Sequence, residues 1–228
     1  VDLELEVPAE IPVMTLSGAV LFPQVMMPLH IFEPRYRAML ADVLEGQRVF
    51  AVAHLNEVAA RDPSRNEPPH EIATVGIVRA SHQNPDGTSN LVLQGLVRVR
   101  ILSILQETPY RRVEVQALPS APASMLALTA RRLRRQIFSL LRRRRDLGAG
   151  LPEQVEEFLR TVTDPETFID LAAYSLLGDG RLQQELLEIL DVESRYQRFI
   201  THLIFANEAL KTRRRLQGTL PDDRIPWN

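Results

Sequence analysis

At Leu118 the hydrophobic pattern of this chain changes period. From Pro12 to Leu118 apolar residues recur mostly at every second position, the spacing of strands with one buried face. Beyond the proline-rich stretch "LPSAPAS", Leu118 to Ser124, they recur at helical spacing. One change of period confines the chain to a β-rich half followed by a helical half, so an α+β class is expected. The boundaries that follow are a β-rich subdomain over 1–118, a linker over 119–123, a helical subdomain over 124–217 and an irregular tail over 218–228.

The strands are read from alternation. "RVFAVAH" sets Val49, Ala51 and Ala53 against Phe50, Val52 and His54, while "LVRVRILSI" sets Val97, Val99 and Ile101 against Arg98, Arg100 and Leu102. "NPDGTSN", Asn84 to Asn90, is a hairpin loop built on Asp86-Gly87, and Glu57 to Glu71 is too polar and proline-rich to be regular. One helix interrupts the strands. Glu33 precedes Pro34, which suits a first helical position, Gly46 supplies the stop, and Tyr36, Met39, Leu40, Val43 and Leu44 form its apolar stripe. In the second half, a helix runs from about Ser124 to Arg145 with Leu126, Leu133, Ile137, Leu140 and Leu141 inward. A second opens at Pro152, and a third is capped by Asp164 and ended by Gly178. A short helix and a long one follow, the long one carrying Tyr196, Phe199, Ile200, Leu203 and Leu210 along one face.

Chemistry is sparse. The absence of cysteine removes thiolate metal sites and cysteine nucleophiles, and no run approaches the roughly 18 apolar residues of a membrane span. With an acidic start that lacks a signal-peptide pattern, the expectation is a soluble, cytoplasmic chain. The histidines at 30, 54, 70, 82 and 202 have no spacing that would put two ligands on one helical face, so no metal is expected. No phosphate loop, dinucleotide fingerprint or serine elbow is present, and the sole lysine, Lys211, lies beside three arginines at a helix end. Neither a catalytic residue nor a cofactor is therefore expected.

Net charge is -2, yet positive charge is concentrated in "RRLRRQIFSLLRRRR", which ends on Arg142, Arg143, Arg144 and Arg145. Such a face attracts phosphate backbones. Against that, Leu151 to Glu193 holds eleven acids and two arginines, enough to neutralise much of it, and Phe138 is spaced for core packing rather than for base stacking. Nucleic acid is kept as the alternative partner.

Two blocks resemble a known family. "IPVMTLSGAVLFPQVMMPLHIFEPRYRAML" resembles the opening signature of the Lon amino-terminal domain family, in which a Pro-x-x-x-Leu strand leads through an "LFP" turn to a "PLxIFExRY" corner and a helix. "VGIVRASHQNPDGTSNLVLQGLVRVRILSI" is similar to its later block of a Val-Gly strand, an Asp-Gly hairpin and a Gly-x-x-Arg strand. The resemblance covers about Ile11 to Arg215. It implies a partly closed β-barrel-like unit with one helix, then an α-helical bundle, and a stand-alone member of a family whose domain helps Lon proteases to bind substrates. The function it implies is non-enzymatic binding of unfolded or extended polypeptide, or of a partner protein.

Within the first block, Glu33 and Arg35 are expected to cap the helix start and tether neighbouring strands, as a structural corner. Period two puts Val25, Met27 and Leu29 on one face, taken to fill the barrel, and Gln24, Met26 and His30 on the other. Pro28 cannot donate a ladder bond and so favours an edge. The polypeptide-binding candidates are therefore Met14, Met26, Pro28 and His30, with burial of Met26 beneath a loop or the helical half as the competing placement.

Overall fold

The computed structural model describes residues 7–118 and 127–217. The expected linker over 119–123, the helix start at Ser124, Leu126 and the tail over 218–228 lie outside them.

The first half holds β1 (Glu10–Leu16), β2 (Met26–Ile31), α1 (Pro34–Glu45), β3 (Val49–His54), β4 (Ile72–Gln83), β5 (Ser89–Gln106) and β6 (Arg112–Leu118). The strands make one six-stranded sheet in the order β2-β5-β4-β3-β1-β6. β1 and β3 run parallel; every other pairing is antiparallel. β6 pairs with β1 and also with the second half of β5, which brings the sheet back on itself. It is partly closed rather than a complete barrel. β2, the first half of β5 and the end of β4 beyond Ile77 project from the closed part as a three-stranded flap.

Two apolar clusters follow from this shape. Inside the closed part lie small and branched side chains, among them Ile11, Val13, Ala51, Val75, Val99 and Val113. Outside it, a larger cluster joins the other sheet face to α1 and to the helical half, from Phe22, Phe50 and Leu93 to Ile137, Phe168 and Phe199. β3 divides its alternation between the two, so it is buried along both faces and not on one, as its period alone suggests. Val25 and Met27 belong to the outer cluster, which corrects their placement in the barrel interior.

The second half holds α2 (Ala127–Asp146), α3 (Glu153–Thr161), α4 (Pro165–Leu176), α5 (Gly180–Glu188) and α6 (Val192–Gln217). Its helix starts follow their caps: Asp164 accepts from the Thr167 N–H at 2.7 Å, Asp179 from Arg181 at 2.9 Å, and Asp191 from Ser194 at 2.8 Å. Leu133, Ile137 and Leu141 of α2 are buried against the stripe Tyr196, Phe199, Ile200 and Leu203 of α6, and Leu210 is half-buried. Among the described residues no helix is long and apolar enough to cross a membrane.

The Glu57 to Glu71 segment holds no strand and no α-helix, as its composition suggests, yet it is tied down. It contains a 3-10 turn over Ala59–Arg61, and the buried Arg111 guanidinium donates to the carbonyls of Glu67 (2.7 Å) and Asn66 (2.5 Å), pinning its returning end. Side-chain donors to backbone carbonyls replace the ladder that its composition cannot make.

Candidate functional site

The flap presents one face to the apolar cluster and the other to solvent. On its solvent face, strand register lines up Met26 with Gln94, Pro28 with Val92 and Ala80, and His30 with Asn90 and His82. The last two rows floor a shallow groove of about 440 Å³, with Pro28, Val92 and Ala80 at one end and His30, Asn90 and His82 at the other; Met26 and Gln94 are not part of its lining. Met26 is 49% exposed, and Phe32, 61% exposed, stacks on His30 with ring centroids 6.0 Å apart. His30 Nδ1 lies 2.8 Å from Asn90 Oδ1.

The groove lies along an open strand edge. Among the described residues β2 has β5 as its one strand neighbour. Val25 turns its carbonyl to the Gly95 N–H at 2.9 Å, and backbone groups alternate sides along a strand. The groups of Met26, Pro28 and His30 therefore turn away from β5. Pro28 costs no ladder bond there, and the open side offers the N–H of Met26 and His30 with three carbonyls. Such an edge can take a further strand through the backbone while the groove takes alternate side chains.

Met14 does not join them. It is 2% exposed in the outer cluster, on a strand paired along both sides, so its candidacy as a contact residue is withdrawn. The corner is also corrected in detail. Glu33 occupies the N-cap position of α1 without a side-chain cap bond; its carboxylate instead meets Arg35 at 2.8 Å. Arg35 lies over the Tyr36 ring and reaches Glu67 at 2.6 Å, so the tether runs to the Glu57 to Glu71 segment and not to a strand.

On α2 the arginines divide. Arg134 donates to the carbonyls of Leu159 (2.9 Å), Arg160 (2.8 Å) and Val162, closing the carboxyl end of α3, and it stacks on Phe168. Arg145 pairs with Glu156, and Arg143 with Glu208 at 2.7 Å. Glu208 stands on α6, outside the acidic stretch expected to do the neutralising. Arg142 and Arg144 form no ion pair among the described residues. Phe138 is half-buried, tilted against Phe168 and covered by Arg160, which is core packing.

Two buried polar groupings escaped the sequence reading. Arg98, 1% exposed, donates to Asp170 at 2.7 Å and to the Leu187 carbonyl at 3.0 Å. Arg195 meets the same Asp170 oxygen at 2.8 Å, and both guanidiniums reach Glu166. Burial pushes the Asp170 carboxyl up from its ordinary range and the two guanidiniums oppose it. The second grouping is His54, buried at the end of β3 and stacked on His70 at 5.5 Å, with His70 3.3 Å from Glu188 of α5. Glu166 and Asp170 lie one turn apart on α4; the fold brings the other residues to them and to each other.

The chain as a whole is similar to known proteins. A model described as the ATP-dependent protease La (LON) substrate-binding domain matches residues 10–204. The Lon protease of Dictyoglomus thermophilum is 24% identical over 218 residues, covering 96% of this chain and 27% of that protein. Lon protease 1 of Herpetosiphon aurantiacus is 27% identical over 206 residues, covering 86% and 25%. The chain thus spans about a quarter of the length of the curated relatives it matches. Among solved structures, the N-terminal domain of Mycobacterium avium complex Lon protease aligns with a TM-score of 0.63 at 18% identity, covering 87% of this chain and 98% of that one. A Lon N-terminal domain protein from Xanthomonas campestris aligns at 0.58, also at 18% identity, covering 84% and 97%.

Proposed function

This chain belongs to the ATP-dependent protease La (LON) substrate-binding domain family, and on that premise we propose that it is a non-enzymatic module that binds extended polypeptide along the open side of β2. The observation that carries the reading is the conjunction at β2 of a backbone edge unpaired among the described residues with an exposed Met26 beside the groove of Pro28, Val92 and Ala80. A docked segment would add a strand beside β2 and bury alternate side chains across the groove. Affinity then comes from backbone pairing and from apolar burial, the latter about 25 cal/mol per Å².

The test is fluorescence anisotropy with a labelled, permanently unfolded protein. Met26→Asp should weaken binding by about tenfold or more, the equivalent of roughly 1.4 kcal/mol, and because Met26 is half-exposed the variant should keep its parent's unfolding midpoint. Arg142→Glu with Arg143→Glu should bind as the parent does, and affinity should change little between low and moderate salt. A phosphate-neutralising α2 face would behave oppositely, losing on the order of a thousandfold over such a range. Normal binding by a folded Met26→Asp would remove the edge from consideration.

A further inference from the structure

On the side of the flap opposite to the groove, α1 and the β4–β5 hairpin enclose a cavity of about 420 Å³. Arg37 and Arg48 stand on its wall with Ser81 and Ser89, above an apolar floor that includes Leu40 and Leu44. No carboxylate among the described residues lines it. Asp86 in the hairpin turn spends its Oδ1 on the N–H (2.9 Å) and hydroxyl (2.7 Å) of Thr88. Neither arginine forms an ion pair among the described residues, and Arg48 uses only its Nε, on the Val78 carbonyl at 3.2 Å.

Two backbone positions beside these side chains have positive φ. Gly87 takes the hairpin turn at φ +81, a conformation that glycine accommodates, and the flexible end of Arg37 lies against it. Arg48 has φ 62, a left-handed conformation that side chains enter at a cost; its N–H donates to Val43 (3.0 Å) and its carbonyl accepts from Val78 (2.8 Å). Glycine would satisfy that turn better than arginine does. The strained position is held by a long cation that reaches an acid-free cavity.

The geometry points to an anion-binding site that takes a phosphate or carboxylate group on a small organic body. The guanidiniums of Arg37 and Arg48 donate to its oxygens, the serine hydroxyls supply further donors, and Leu40 and Leu44 receive the apolar part. Ser81 borders both this cavity and the groove, while the two arginines belong to the cavity alone.

Isothermal titration of the purified chain with inorganic phosphate, pyrophosphate and citrate tests this. Saturable one-to-one binding of at least one anion is expected, weakened tenfold or more in Arg37→Gln and in Arg48→Gly. Arg48→Gly removes the cation while suiting the backbone, so its melting temperature should equal or exceed the parent's. Preference for pyrophosphate assigns a phosphate-bearing ligand, and preference for citrate a carboxylate. Absence of saturable binding to all three, or binding that survives both substitutions, overturns the site.

Discussion

His54 and Arg98 mark the limit of what alternation can report. Each stands where period two turns a polar side chain away from the barrel interior, and the sequence offers no reason to expect anything but solvent there. The helical half covers that side: Arg98 meets α4 and α5, while Gly180 of α5 comes so close to His54 Nε2 that a Cβ would lie 2.8 Å from it. Which face a residue takes is local information; what lies over that face is not. The buried His54 has a measurable consequence. Burial first, and then the neighbouring His70, hold its imidazole below the ordinary value of 6.5, with Glu57 and Asp179 opposing. Below pH 6.5 the unfolded chain therefore takes up a proton that the folded chain refuses. This contribution to stability is complete above that pH and is lost as pH falls from it toward the folded-state value. Urea unfolding midpoints at pH 7.5 and 5.5 should separate more in the parent than in His54→Gln, the difference isolating this histidine from the carboxylates that also titrate.

β5 shows the same division between legible and illegible at the scale of an element. Its alternating run "LVRVRILSI" announces a strand, and the Asp86-Gly87 turn announces the hairpin that precedes it. Its length and double service do not follow from either. β5 runs for 18 residues, pairing first with β2 and then with β6, and Gly95 stands between the two regimes. There the chain passes so close to the Phe22-Pro23 turn that a Cβ on residue 95 would stand 2.0 Å from the Phe22 carbonyl oxygen. Gly95 also exchanges backbone bonds with Gln24 (2.8 Å) and Val25 (2.9 Å), so the approach cannot relax without releasing the start of β2. Gly95→Ala should cost about 3 kcal/mol by overpacking, read from urea unfolding. Hydrogen exchange should place the loss in β2 and the Phe22-Pro23 turn before the closed strands. Pro28, by contrast, was legible as an edge residue, because the missing N–H is written in the residue type itself.

For the whole molecule, the change of period at Leu118 gave the α+β class and the family signature gave the partly closed sheet, but neither discloses how the halves meet. They meet through one continuous apolar cluster and through Asp170, which two arginines from opposite halves share. The halves should accordingly unfold as one, with the helical far-UV signal and the hydrogen-exchange protection of the β3 amides lost at the same urea concentration. Asp170→Ala leaves two buried guanidiniums with Glu166 as their remaining carboxylate and should lower stability by about 3 kcal/mol, moving both signals together. A β-rich half that persists after the helices melt would contradict this. The open side of β2 bears finally on solubility. An uninterrupted strand edge is a template on which further copies of the same chain can stack, each presenting the next with the same row of donors. Pro28 removes the central donor from that row, so two copies laid edge to edge face a gap that neither can fill. The row that the proposed guest would use is thereby a poor seed for a fibril.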